Sequence, residues 1–261
     1  MFKLLKATAR AAVYNNPIAG MIVSAMGDVV NVNGLKFSTA HPSISLGLKG
    51  RFLFGAWERE EIQLVTQVID PTLPLIELGG CIGVVSCIAN RLLDDPTKQI
   101  VVEANPDLVP LLTANRDRNG CKFEIVPKAV AYGKPSISFH QHDLAVGGSV
   151  LRQTGKTVEV PTTTVEELSR GFDEDKPITL VIDIEGSELD VIANELDFIA
   201  TRVKTLWIET HARFVGEPET ARMLEQIRGA GFEETARLKI QHVFENPRFA
   251  TVGKQEQVAA V

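Results

Sequence analysis

The chain has 261 residues, 44% hydrophobic and 23% charged, which suits one α/β domain with a full apolar core plus an added element, and excludes disorder as the default state. A formal net charge of −6 argues against nucleic acid as a partner, because phosphate binding draws on clustered Lys and Arg. Three cysteines without a C-x-x-C spacing fit a reducing, cytoplasmic setting, and no apolar run reaches the roughly 20 residues that span a bilayer.

In chain order, Lys3, Lys6 and Arg10 interrupt an Ala/Leu-rich start, so it reads as a helix packed on its own domain rather than a signal peptide. Contact with a membrane surface is the alternative for this segment. Asn33–Gly34 between β-prone runs predicts a hairpin over 28–37. Apolar Ile62, Leu64, Val65, Val68 and Ile69 predict a helix over 58–69. Strand, helix, strand, helix and strand follow over 73–78, 84–93, 99–103, 108–119 and 123–126, the pattern of a parallel sheet with crossover helices. A β excursion around Gly147–Gly148 and a short helix capped by Thr164 interrupt it. The sheet resumes with 178–183, a helix over 187–200 and the strand 204–209. A helix through Leu224 and Ile227 leads to two strands joined too tightly for a parallel crossover. The expected fold is α/β and Rossmann-like: a mostly parallel seven-stranded sheet with a reversed C-terminal hairpin strand. The expected divisions are an N-terminal helix and hairpin extension at 1–50, the main domain at 51–247 and a loose tail at 248–261.

The first strand ends in Glu77–Leu78–Gly79–Gly80–Cys81–Ile82–Gly83. Glycines there let a ligand approach the backbone across the carboxyl edge of the sheet. The dinucleotide spacing G-x-G-x-x-G fails from either Gly79 or Gly80, and Glu77 would repel a pyrophosphate. A carboxylate at that place attracts the ammonium and sulfonium of S-adenosylmethionine instead. Glu103, at the end of the second strand, is placed to accept both ribose hydroxyls.

Four segments together resemble the FkbM family of methyltransferases, over about 28–244. They are the glycine turn 77–83, Glu103–Ala104–Asn105–Pro106 with Asn115 and Asn119, Asp183–Ile184–Glu185–Gly186–Ser187–Glu188, and Glu209–Thr210–His211. Gly80 and Cys81 stand where the family has Ala-Asn, and Val181 where it often has Lys. The resemblance implies the class I methyltransferase fold, S-adenosylmethionine as cofactor, and O-methylation of a sugar or secondary-metabolite hydroxyl.

The cofactor candidates are Glu77, Gly79, Gly80, Cys81, Gly83, Glu103, Ala104, Asn105 and Asp183. An alcohol must lose its proton during methyl transfer, so a base within hydrogen-bond reach is expected. His211, just past the fifth strand, is the first candidate; Asp183 and Glu185 can orient the acceptor or serve as base. Glu188 reads chiefly as a partner for a helix dipole. A divalent metal is an option if Asp183, Glu185, Glu209 and His211 converge, but none is assigned from the sequence. His140 and His142 share one strand face and read as exposed polarity, with an acceptor pocket as the alternative. Phe139 and the Gly147–Gly148 stretch are lid candidates, and Trp57 and Trp207 read as core or interface. The competing functions are a non-catalytic nucleoside-binding or scaffold protein and, below it, a nicotinamide oxidoreductase.

Overall fold

The computed structural model describes residues 16–141 and 156–250. Asn16 caps α1 (Pro17–Ala25) by accepting from the N–H groups of Ile18 and Ala19 at 3.0 and 3.1 Å. Asn33 and Gly34, both at positive φ (50° and 81°), make the hairpin turn between β1 (Val29–Val32) and β2 (Leu35–Ser38). After α2 (Leu46–Leu53) the chain enters α3 (Arg59–Val68), which buries Leu64 and Val65. The hairpin is tied to the main sheet layer by two asparagines. Asn115 accepts from Ser38 N–H at 2.7 Å and donates to the carbonyls of Ser38 and Ile82; Asn119 pairs with the backbone of Lys36 in both directions. Val30, Leu35 and Phe37 therefore share one apolar core with Leu75, Ile82 and Leu112. The segments expected as a helix near Lys3–Arg10 and as a lid around Gly147–Gly148, together with His142 and positions 251–261 of the tail expected at 248–261, lie outside the described residues; the tail's first residues instead join the 3-10 turn Pro247–Phe249, capped by Asn246.

The central sheet forms as expected. Its parallel strands are β3 (Leu75–Leu78), β4 (Gln99–Val102), β5 (Glu124–Val126), β9 (Ile178–Ile182) and β10 (Val203–Glu209), while β11 (Glu233–Leu238) and β12 (Gln241–Glu245) form the reversed hairpin. The order is β11-β12-β10-β9-β3-β4-β5, with β12 antiparallel to both neighbours. This is the Rossmann-like class I methyltransferase arrangement. β3 and β9 are buried along their whole length, as befits strands covered by helices on both faces. One face is covered by α3, α4 (Val84–Asn90) and α5 (Val109–Arg118); the other by α6 (Val165–Ser169), α7 (Glu188–Arg202) and α8 (Glu217–Gly229). The helix read over 84–93 stops at Asn90, whose amide donates to Pro96 O and Gln99 Oε1 at 2.8 and 2.9 Å and turns the chain toward β4. The excursion is a three-stranded sheet of β6 (Ala129–Val130), β7 (Ser136–Gln141) and β8 (Lys156–Thr163). Among the described residues no helix is long and apolar enough to cross a membrane.

β3 and β9 are adjacent although their connections leave in opposite directions along the sheet. That is the switch point at which ligands bind in open α/β sheets, outside the carboxyl ends of the strands.

Candidate active site at the carboxyl edge of the sheet

The turn after β3 is held by backbone bonds to its neighbours. The N–H groups of Gly79 and Gly80 both donate to Val102 O, at 2.9 and 3.0 Å, and Asp183 N–H donates to Leu78 O at 2.9 Å. The expected reason for the glycines needs correction. A Cβ at Gly79 would lie 1.8 Å from the carbonyl oxygen of Asp183, and at Gly80 or Gly83 it would strike Val101 or Leu112 at 2.4 or 2.6 Å. The side chains are forbidden first by the protein's own close packing, before any ligand is considered.

Glu103 is buried, and its carboxylate closes this turn: one oxygen accepts from Cys81 N–H and the other from Asn105 N–H, each at 2.7 Å. Burial pushes its carboxyl up to about 7, against the pull of those backbone donors. Cys81 sits at φ 47°, held there by the Glu103 bond, and burial keeps its thiol well above the usual range. Asn105 is buried and accepts from Asp107 N–H at 3.1 Å; Ala104 packs on the small cluster of Ala129, Phe139 and Val160. Glu77 is likewise buried, accepting from Ser86 Oγ at 2.8 Å and Gln99 Nε2 at 3.2 Å, and burial raises it to about 7.

A cleft of about 400 Å³, counted out to its mouth, opens beside this turn. Glu77, Gly79, Gly80 and Asp183 line it, as does Trp207, a core residue whose Nε1 donates to Gln241 Oε1 at 2.6 Å. Two further lining groups, Glu58 and Glu61, are absent from the sequence-based candidates. Burial and the Glu77 charge push Glu58 up to about 8; burial and Glu209 push Glu61 to about 9. An acidic first turn ordinarily reads as complementing a helix dipole, so nothing in the sequence marked these two. Gly83, Glu103, Ala104 and Asn105 stand outside the cleft lining, on the β4 side of the turn.

At the β9 and β10 ends the acidic signature closes on His211. The imidazole is buried; its Nδ1 meets Glu188 Oε1 at 2.8 Å. Its Nε2 faces Glu209 Oε1 at 3.3 Å, Asp183 Oδ1 at 3.6 Å and Glu185 Oε2 at 3.7 Å. Glu188, almost fully buried, also accepts from the N–H groups of Ile184 and Gly186, both at 3.1 Å. It is thus the post that shapes the loop and orients the histidine, more than a helix-dipole partner. Gln241 Nε2 bridges Glu61 and Glu209, while Phe214 stacks on the imidazole with ring centres 5.9 Å apart. Asp183 is the open member, its side chain 40% exposed. Withdrawal from bulk solvent in the cleft, and then the Glu209 charge, keep its carboxyl well above the ordinary range.

Burial disfavours charge on His211, but Glu188 and Glu209 outweigh it and hold the imidazole up at about 11. This direction favours the protonated ring and weighs against His211 as the base in the ligand-free protein. His140 lies apart on β7, half-buried, with Nδ1 3.2 Å from Thr157 Oγ1. Glu58, Cys81 and Glu185 are three of the six non-glycine residues at positive φ among the described residues, so backbone strain is concentrated at this edge.

The carboxyls at about 7 set an expected pH dependence. Unfolded, Glu77 and Glu103 ionise near their ordinary 4.5; folded, they hold their protons to about 7. Their contribution to stability is complete below 4.5 and is lost as pH rises through 7. The melting temperature of the ligand-free protein is expected to fall between pH 5 and 8, and Glu77→Gln to flatten the slope. A wild-type slope equal to that of the variant contradicts this assignment.

The family model for the methyltransferase FkbM domain matches residues 77–234. The hexuronic acid methyltransferase AglP of Haloferax volcanii is 27% identical over 159 residues, covering 59% of this chain and 63% of that protein's length. Among solved structures, the methyltransferase FkbM of Methylobacillus flagellatus is 12% identical, with 90% of this chain and 60% of that one covered at a TM-score of 0.43. An rRNA methylase of Streptococcus thermophilus is 10% identical, with 70% and 92% covered at 0.42.

Proposed function

The chain belongs to the FkbM methyltransferase domain family, and from that premise we propose that it transfers the methyl group of S-adenosylmethionine to a hydroxyl oxygen of a carbohydrate acceptor. The observation that carries the reading is the cleft itself. Gly79 and Gly80 of the turn braced by Glu103 line it side by side with Asp183, which has Glu209 and His211 behind it, at the switch point of the sheet. The carbohydrate class is supported by the name of the Haloferax volcanii relative and by the open carboxylate of Asp183, a group able to accept hydrogen bonds from hydroxyls.

In this reading Glu103 accepts from the ribose hydroxyls while its backbone bonds keep the turn in shape. Glu77, with Glu58 and Glu61 lining the same cleft, offers carboxyl oxygens to the ammonium of the cofactor, whose positive charge would draw their raised pKa values back down. Asp183 and Glu185 orient the acceptor. The acceptor oxygen attacks the methyl carbon in line with sulfur; the O–C bond forms as the C–S bond breaks, and sulfur keeps the electron pair as a neutral thioether. The hydroxyl proton passes to Asp183, the one open carboxylate of the group, and on to solvent. Positioning supplies much of the rate, since the sulfonium leaves without acid assistance.

The test is binding of S-adenosylmethionine and of S-adenosylhomocysteine by calorimetry and thermal shift, followed by methyl transfer from labelled donor to a panel of hexuronic acids and neutral sugars. Saturable binding with labelled product is expected. Absence of thermal stabilisation at millimolar concentration of either compound overturns the reading.

A further inference from the structure

We propose that Asp183, Glu209 and His211 form a binding site for one divalent cation of the Mn²⁺/Mg²⁺ type. One donor atom from each lies within 4.8 Å of the other two, with His211 Nε2 3.3 Å from Glu209 Oε1 and 3.6 Å from Asp183 Oδ1. Neighbouring ligands on one ion with bonds of about 2.1 Å stand about 3.0–3.5 Å apart, so these atoms need little movement to share a cation.

The surroundings of the histidine point the same way, independently of the carboxylates themselves. Its side chain is 99% buried, yet Nδ1 is taken by Glu188, a residue fixed by two backbone N–H groups. Nε2 is left directed into the group of oxygens. Metal-ligating histidines are held in this way, the far nitrogen anchored by a carboxylate and the near one aimed at the centre. Glu209 repeats it: Oε2 accepts from Gln241 while Oε1 faces the centre. Asp183, partly exposed on the cleft wall, supplies the way in.

Charge balance gives the third argument. Asp183, Glu185, Glu188 and Glu209 gather around the imidazole, and the exposed Arg213 reaches Glu185 at 3.3 Å. A divalent ion among them lowers the mutual repulsion of these carboxylates. Two carboxylate oxygens and one imidazole nitrogen favour an oxygen-preferring ion over a thiolate-preferring one.

The role of the ion rests on the methyl-transfer reading above; its binding does not. Bound to these three residues, it would take the acceptor hydroxyl at an open position and lower its pKa, with the proton leaving through the second oxygen of Asp183.

The experiment uses the full chain, stripped with a chelator and titrated with MnCl₂ by calorimetry and by the loss of free-Mn²⁺ electron paramagnetic resonance signal. One ion per chain is expected, with affinity reduced at least tenfold in Asp183→Asn and in Glu209→Gln. Asp183 is partly exposed, so its variant is expected to fold, and circular dichroism checks that it does. S-adenosylmethionine is titrated in parallel into the stripped protein. Cofactor binding without Mn²⁺ binding overturns the metal site and leaves the methyl-transfer reading standing, with the imidazolium as the neutralising charge. Mn²⁺ binding unchanged in both variants also overturns it.

Discussion

Glu103→Ala is expected to weaken S-adenosylmethionine binding by at least a hundredfold in calorimetry and to lower the melting temperature of the ligand-free protein. The substitution removes the acceptor of two backbone N–H groups, those of Cys81 and Asn105, in a residue that is 7% exposed. Each buried donor left without a partner costs about 1–3 kcal/mol. Cys81, at φ 47°, also loses the bond that holds it in a backbone conformation few L-residues adopt. The turn then relaxes as the proposed partner of the ribose hydroxyls disappears, and two coupled losses of this size exceed the roughly 2.7 kcal/mol that a hundredfold change in affinity represents. Glu103→Gln keeps one acceptor oxygen and is expected to fall between wild type and alanine. Unchanged affinity in the alanine variant places the cofactor elsewhere.

The second large effect concerns stability. Gly79→Ala places a Cβ 1.8 Å from the Asp183 carbonyl oxygen, at a φ of 98°. Neither partner is the end of a flexible side chain: both are backbone, each one residue past the paired ends of β3 and β9, where Leu78 stands opposite Ile182. Relief requires β3 and β9 to separate at the point where the site is built. A destabilisation of about 4 kcal/mol or more is expected, lowering the melting temperature on the order of 10 °C. Gly120→Ala is the control. It too has positive φ, 65°, but nothing lies within 4 Å of the added Cβ, so only the backbone cost of about 1 kcal/mol applies. Equal effects at the two positions would remove the steric argument.

The two variants separate what was legible in the sequence from what was not. The periodicity of Ile62 to Ile69, the alternation of short apolar runs with helices and the tight link between the last two strands predict the sheet and its reversed hairpin, and the helix boundaries differ by only a few residues. Asn33–Gly34 and Thr164 act as read because turn and cap chemistry are local. The same locality misleads at the glycines, where the crowding atoms come from residues 101, 112 and 183. It misleads again at His211. A histidine past a strand end reads as a base with an ordinary pKa, whereas Glu188, which is 23 residues away, fixes its Nδ1 and helps hold its proton.

By itself, the sequence determined the order and type of the elements and which acidic residues stand at the carboxyl edge of the sheet. Those follow from periodicity, from turn chemistry and from strand ends, all properties of neighbouring residues. Tertiary structure alone decided which carboxylates gather around His211, which are spent on backbone N–H groups, and that Glu58 and Glu61 line the cleft from the start of α3. Burial and Coulomb interactions depend on distance through space, and residues from separate strands and helices approach one another only after the sheet has formed.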